Sequence, residues 1–270
     1  MKELYGLIGE KLGHSYSPFI HHSIMRKINI VGEYKLFPIE KQYVKSTIYN
    51  LAQDNIKGLN VTIPYKVDII PYLNGISKEV KNIGAVNTIG IKDNALIGYN
   101  TDYYGFGKML KNFHVDVKNR KSVILGTGGA SKAVAQYLLD EGARDIVYVT
   151  RKPIEDKTFK YIGYNEIESL RDQDMIINCT PCGMYPNINN CAIAKKDLKE
   201  FSVAIDLIYN PEESVFLRFS KEMGIEGING LYMLVAQAVK SQEIWHSKTI
   251  EDTVIEAVYK EMKELLYGNL

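Results

Sequence analysis

Short apolar runs rich in β-branched residues alternate with amphipathic stretches along the whole chain. LYGLIG (4–9), EYKLFPI (33–39), GLNVTIP (58–64) and AVNTIGI (85–91) predict strands, and the patterns near 18–29, 41–53 and 66–73 predict helices. IGIKDNALIGYN then predicts a hairpin with its turn at Lys92–Asn94, and Asn100 to Asp102 closes this first series. A second series opens with KSVILGTGGASKAVAQYLLDEGARDIVYVTR: a strand at 122–125, a glycine turn, a helix to about Glu141 and a strand at 146–150. DMIINCT (174–180) and SVAIDLIY (202–209) predict further strands. After Gly230 come two long helical patterns, the second stepping by four through Val254, Val258, Met262 and Leu266. Strands alternating with helices predict an α/β protein built from βαβ units around mostly parallel sheets. Two such series predict two domains with a boundary near residue 102, and no internal repeat interrupts them.

Composition narrows the function classes. The 270 residues are 46% hydrophobic and 24% charged, as in an ordinary globular protein with ample core. A net charge of +1 gives no global field for nucleic acid or a membrane surface, so a charged ligand has to be met by a local site. The 19 tyrosines carry no interleaved basic clusters, which disfavours a nucleic-acid platform. MKELYGLIGEKLG has no apolar core long enough for a signal peptide, and no run approaches the length of a membrane span. Three cysteines, at 179, 182 and 191, argue against a disulfide framework. The expected location is the cytoplasm.

VILGTGGAS places Gly126, Gly128 and Gly129 between a strand and a helix, the context that a dinucleotide fingerprint requires. Glycines permit the tight turn, and the helix N-terminus offers its N–H groups to a pyrophosphate. Ser131 stands where the fingerprint has its third glycine. The next strand ends in VYVTRKP, with Thr150, Arg151 and Lys152 and no carboxylate for a ribose 2′-hydroxyl. A guanidinium fork suits a 2′-phosphate, so NADP is favoured over NAD.

In the first series, Lys66 follows one strand in NVTIPYK and Asp102 another in GYNTD. Such a pair can exchange a proton with a hydroxyl or carbonyl across a cleft if the two lie within hydrogen-bonding reach. Asn60, Thr62 and Asn87 sit at similar strand ends and suit a polyhydroxylated substrate. GHSYSPFIHH (13–22) comes close to a nucleophile elbow, but Ser17 stands where the elbow needs glycine. His21 and His22 are neighbours on different sides of a helix, which is wrong for a metal site. The remaining reading is a helix start with Ser17 at the N-cap and Pro18 at N1. There Ser15 and Ser17 form a receptor for one carboxylate. CTPC (179–182) has a C-x-x-C spacing and reads as loop cysteines, with Trp245 and His246 packing or capping a helix.

GHSYSP, NVTIPYK, GAVNTI, NTD, GTGGAS, NCTPCGM, DLIYNP and NGLYMLVAQA occur in this order across residues 5 to 245, and in that order the chain resembles the shikimate dehydrogenases. The resemblance implies an N-terminal α/β substrate domain (1–102 plus 238–270) and a Rossmann NADP domain (103–237). It implies NADPH-dependent, reversible reduction of 3-dehydroshikimate to shikimate in the aromatic amino-acid pathway, with the small molecule as sole partner and a monomer or homodimer as the working form. By motif, Lys66 and Asp102 look like the catalytic pair, and Ser15 and Ser17 like the carboxylate ligands. Asn60, Thr62, Asn87 and Gln237 look like ligands of the ring hydroxyls. Gly126, Thr127, Gly128, Gly129 and Ala130 match the pyrophosphate loop, and Thr150, Arg151 and Lys152 the 2′-phosphate clamp. Thr180, Met184, Gly230 and Met233 fall on cofactor segments, and Tyr209 falls at the substrate end of the nicotinamide pocket. An ordinary lysine titrates near 10.4, so a lysine acid here acts largely as a fixed cation beside the alkoxide. The division of labour between Lys66 and Asp102 stays open.

The chain departs from the family in having His21–His22 where His-Asn is common, and Thr150–Arg151–Lys152 where Asn-Arg-Thr with another arginine nearby is common, with Lys152 as the substitute charge. A quinate/shikimate dehydrogenase using NAD or broader substrates is the near alternative. A non-catalytic NADP-binding regulator is the distant one, disfavoured by the presence of both Lys66 and Asp102.

Overall fold

A computed structural model describes residues 2–54, 56–93 and 95–268. Its chain divides into two compact units, Met1–Gly105 with Leu234–Met262, and Phe106–Met233 with Lys263–Leu270.

The first unit is built on β1 (Glu3–Gly9), α1 (Ser17–Lys27), β2 (Gly32–Pro38), α2 (Val44–Gln53), β3 (Ile56–Val61), β4 (Gly75–Ile76), α3 (Lys78–Ile83), β5 (Thr88–Lys92) and β6 (Ala95–Tyr99). The sheet order is β2-β1-β3-β5-β6-β4. β1 runs parallel to both β2 and β3, while the β5–β6 hairpin is antiparallel to β3. Successive side chains of β1 serve opposite faces. Ile8 joins a core of Val44, Ile48, Leu59, Tyr65 and Ile89, and Tyr5 and Leu7 join Met25 and Tyr34 on the other side. Each such fully buried aliphatic side chain contributes about 1.5–3 kcal/mol.

The second unit reads β7 (Lys121–Leu125), α5 (Gly129–Asp140), β8 (Asp145–Val149), β9 (Lys160–Ile162), β10 (Met175–Asn178), β11 (Val203–Asp206), α6 (Val215–Glu222) and β12 (Glu226–Asn229). All its strands are parallel, in the order β9-β8-β7-β10-β11-β12. Counted from β7, this is the order 3-2-1-4-5-6 of a doubly wound Rossmann sheet. The apolar runs 122–125, 146–149, 175–177 and 203–205 are buried because helices cover both faces of such a sheet. Three helices, α4 (Thr101–Asn112), α7 (Leu231–His246) and α8 (Asp252–Tyr267), carry residues of both units.

Several sequence expectations change. The helix expected at 66–73 is a run of turns with a short 3-10 segment at Ile70–Tyr72, because Pro64 and Pro71 interrupt the ladder. The strand expected at 85–91 starts only at Thr88, and that at 58–64 ends at Val61. The hairpin is present, but its turn residue Asn94 lies outside the described residues. In α8 the buried line runs through Ile255, Val258 and Met262, and Val254 and Leu266 are only half-buried. Ser17 is the first residue of α1, not its cap. Tyr16 holds the cap position but its side chain does not cap the helix N–H groups, and Ser15 Oγ accepts from Ser17 N at 3.2 Å. Among the described residues no helix is long and apolar enough to cross a membrane.

Candidate active site

The start of α4 explains the NTD motif. Asn100 Oδ1 accepts from Tyr103 N at 3.2 Å, which makes Asn100 the helix cap, and its Nδ2 donates to Ala85 O at 2.9 Å. Asp102 therefore sits in the first turn, where the helix dipole favours a carboxylate. Asn87 reaches the same turn from the edge of β5. Its Oδ1 accepts from Thr101 N at 2.7 Å and its Nδ2 donates to Asp102 Oδ1 at 2.9 Å. The other carboxylate oxygen, Oδ2, lies 2.6 Å from Lys66 Nζ. Lys66 is held in register because its carbonyl accepts from Val86 N at 2.7 Å, one residue before Asn87. The two charged side chains are 16% and 9% exposed, so this pair escapes most of the solvent screening that weakens a surface pair.

A buried polar network continues from this pair. Thr101 Oγ1 lies 3.3 Å from Gln237 Oε1 and 3.3 Å from Ser241 Oγ, while Ser241 is 2.9 Å from Thr88 Oγ1. Gln237, Ser241 and Trp245 recur every fourth residue on α7 and so share one face. Trp245 Nε1 donates to Ile89 O at 3.0 Å, and its ring occupies the space where a side chain at Gly58 would stand. Asn60 joins the network through Nδ2, which donates to Thr88 Oγ1 and Ser241 Oγ at 3.0 Å each and to Asn87 O at 3.2 Å. Its Oδ1 accepts from Tyr34 OH at 2.8 Å. Asn60 thus has its donors committed internally and keeps only acceptor capacity on Oδ1.

Tyr34 is stacked on His21 with ring centroids 4.1 Å apart, and His21 Nδ1 is 2.9 Å from the Gln242 amide. Burial, with the neighbouring His22, pushes the His21 pKa down to about 3, so the ring is neutral. The Ser17 side chain approaches the same Tyr34 phenol. Among the described residues, Ser15 and Thr62 make no side-chain bond to this network. Both are half-buried, and Thr62 is tied by its main chain to Ile8 O at 2.9 Å. His22 is exposed and accepts from Tyr34 N at 3.3 Å.

In the second unit the glycine turn has the expected form. Gly126 has φ +91°, a left-handed conformation that favours glycine, and its N–H bonds Val149 O at 2.9 Å. Gly128 has open space where a Cβ would stand and caps α5 with no side chain of its own, so the first N–H groups of α5 face an unobstructed cradle. Ser131, at the third glycine position, is fully buried and folds its hydroxyl back to Gly128 O at 2.7 Å. Arg151 and Lys152 are exposed at the end of β8, and among the described residues neither enters an ion pair. Thr150 Oγ1 accepts from Lys152 N at 3.4 Å, and Thr127 is exposed beside Gly128. An uncapped helix start beside an open glycine turn, with two unpaired cations on the neighbouring strand end, fits a phosphorylated dinucleotide.

The remaining positions assigned by motif lie on the loops and helix that follow. Thr180 follows β10, exposed Met184 lies in the next turn, and half-buried Tyr209 follows β11, with its carbonyl accepting from Tyr267 OH at 2.5 Å. Gly230 packs so closely that a Cβ would stand 2.2 Å from Leu207 O, and Met233 is buried on α7. Burial raises the thiol pKa values of Cys182 and Cys191, and among the described residues no disulfide joins any of the three cysteines. Sequence reasoning missed Tyr34, Thr88, Thr101, Ser241 and the buried Asn178–Asp206 pair. Ser241 was open to discovery from its spacing to Gln237, whereas Tyr34 had no local signal.

A Rossmann sheet with an open glycine turn, in a chain that also buries a lysine–aspartate pair, defines a nucleotide-binding α/β enzyme. Residues 7–89 match the family model described as the shikimate dehydrogenase substrate binding domain. The chain is 45% identical over 267 residues to a shikimate dehydrogenase (NADP(+)) from Clostridium perfringens, covering 97% of this chain and 98% of the relative. A crystal structure of a chorismate mutase/shikimate 5-dehydrogenase fusion protein from Clostridium acetobutylicum is 46% identical with a TM-score of 0.94, covering 98% and 99% of the two chains. The shikimate 5-dehydrogenase of Thermus thermophilus, solved with NADP(H) and shikimate, is 25% identical with a TM-score of 0.85, covering 96% and 99%. The chain belongs to the shikimate dehydrogenase family.

Proposed function

We propose that this protein catalyses the reversible, NADPH-dependent reduction of 3-dehydroshikimate to shikimate, as a monomer or homodimer in the cytoplasm. The observation that carries the reading is the Lys66–Asp102 contact of 2.6 Å, set in a buried network by Asn87. Bound NADPH supplies the hydride to the substrate carbonyl. Lys66 holds its ammonium at the oxygen that becomes an alkoxide, stabilising the charge and placing a proton within reach. Asp102 keeps that ammonium in position and shares its proton. Asn87 holds the carboxylate so that Oδ2, not Oδ1, faces the lysine.

The substrate carboxylate is received by Ser15 and Ser17, where the start of α1 presents N–H groups and a positive dipole end. Thr62, Asn87 and Gln237 orient the ring hydroxyls, with Asn60 shaping the wall behind them, and Tyr209 is a further substrate ligand. These groups give the N-terminal unit and the helices that return to it the role of substrate domain. The Gly126–Ala130 turn holds the pyrophosphate, and Thr150, Arg151 and Lys152 hold the 2′-phosphate. Thr180, Met184, Gly230 and Met233 line the nicotinamide end.

The test is absorbance at the NADPH band with shikimate or quinate, each paired with NADP+ or NAD+. Turnover of shikimate with NADP+ is expected to dominate. No turnover of shikimate with either cofactor overturns the proposal, and faster oxidation of quinate with NAD+ favours the broader member of the family.

A further inference from the structure

Asp206 closes β11 with no exposed surface, and among the described residues it enters no ion pair. Burial pushes its carboxyl pKa up to about 6, against the pull of its hydrogen-bond donors. Those donors come from three different segments. Oδ2 accepts from Ser214 Oγ at 2.5 Å, and Oδ1 accepts from Asn178 Nδ2 at 2.9 Å and from Ile208 N at 3.1 Å. A costly buried carboxylate that gathers donors from a strand end, a loop and a helix start organises the loops that follow β10 and β11.

The direction of the Asn178 amide follows from this contact. With Nδ2 turned to Asp206, Oδ1 must face the other way, where it accepts from Thr180 N at 3.0 Å and Thr180 Oγ1 at 2.7 Å. Thr180 Oγ1 in turn accepts from Cys182 N at 3.2 Å, which shapes the loop after β10. That loop abuts the glycine turn: a Cβ at Gly126 would stand 2.8 Å from Thr180 Cγ2. On its other side, Asp206 fixes Ile208, whose carbonyl accepts from Gly230 N at 3.1 Å. The loops after β7, β10 and β11 all lie at the carboxyl edge of the parallel sheet, where doubly wound folds bind their ligand.

We infer that Asp206 is a positioning residue for the dinucleotide: through Asn178 and Ile208 it sets the loops after β10 and β11 against the glycine turn in the arrangement that accepts the cofactor. This rests on the reading of the protein as NADP-dependent. The role requires an acceptor at Oδ1, not a negative charge, because asparagine can keep Oδ1 toward Asn178 and Ile208 while its amide donates to Ser214 Oγ.

The test is calorimetric binding of NADP+ to the full-length wild-type, Asp206→Asn, Asp206→Leu and Ser214→Ala proteins, with thermal melts and shikimate turnover alongside. Asp206→Leu is expected to weaken NADP+ binding at least tenfold, and Asp206→Asn to restore it to within threefold of wild type. Ser214→Ala is expected to lower the melting temperature without changing NADP+ affinity, which separates lost stability from lost positioning. If Asp206→Leu does not fold, Asn178→Ala cuts the same link to Thr180 and carries the same tenfold expectation. A folded Asp206→Leu or Asn178→Ala protein that binds NADP+ within twofold of wild type overturns the inference and leaves the proposed function standing. A wild-type protein that binds neither NADP+ nor NAD+ overturns both.

Discussion

Asn87 Nδ2 donates to Asp102 Oδ1 at 2.9 Å, which leaves Oδ2 as the oxygen that meets Lys66 at 2.6 Å. One amide therefore aims the carboxylate, and the same amide accepts the backbone N–H of Thr101 at 2.7 Å. The Lys66–Asp102 pair and the start of α4 are a single hydrogen-bonded unit, so a change at any of the four residues is felt at the other three.

Lys66→Ala and Asp102→Asn are each expected to lower kcat by about 10²- to 10⁴-fold, the range for loss of a positioned proton donor or its partner. The affinity for NADP+ is expected to stay within about threefold, since the loss falls on the chemical step. Steady-state kinetics paired with calorimetric NADP+ binding separates the two. Equal losses in turnover and cofactor binding would remove the catalytic assignment.

Tyr34→Phe deletes one oxygen and leaves Asn60 Oδ1 without its donor at 2.8 Å, while the ring remains free to stack on His21. A cost of about 1–3 kcal/mol in stability is expected for the unsatisfied acceptor. The KM for shikimate is expected to rise several-fold with the KM for NADP+ unchanged. Denaturant unfolding and steady-state kinetics check both, and an unchanged shikimate KM would separate Tyr34 from the substrate wall.

Arg151→Ala removes an exposed guanidinium that takes part in no ion pair among the described residues, so stability is expected to change little. Loss of a charge-assisted bond of about 1.5–3 kcal/mol predicts a fall of roughly ten- to a hundredfold in kcat/KM for NADP+. The value for NAD+ is expected to hold. If both cofactors lose equally, Arg151 acts on something other than a 2′-phosphate.

His21 gives the stability a defined pH dependence. Its pKa is held at about 3 by burial and by His22, whereas an exposed histidine titrates near 6.5. Between those values the unfolded chain binds a proton that the folded chain does not, so this contribution is present above pH ~6.5 and is lost as pH falls toward 3. His21→Phe keeps an aromatic ring against Tyr34 but cannot titrate. The drop in melting temperature between pH 7 and pH 4.5 is expected to be smaller in this variant than in wild type. An equal drop in both would mean that other groups govern the acid lability.

Local chemistry is legible in the chain wherever one residue type is forced by a local backbone need or a short-range charge. The glycine turn, the absence of a carboxylate after VYVT, the alternation of strands and helices, and the grouping of Lys66, Asn87 and Asp102 at strand ends all belong to this class. The tertiary structure decided what depends on residues far apart in sequence. It set Tyr34 against Asn60, matched Ser241 to Thr88, and joined Asn178 to Asp206. It also moved the cap of α1 from Ser17 to Tyr16 and dissolved the helix expected at 66–73. The physical reason is the range of the forces involved. Backbone sterics and helix periodicity act within a few residues and leave a mark in the local pattern. A buried polar group is satisfied by whichever partner the fold brings to it, and that partner leaves no trace in the neighbouring sequence.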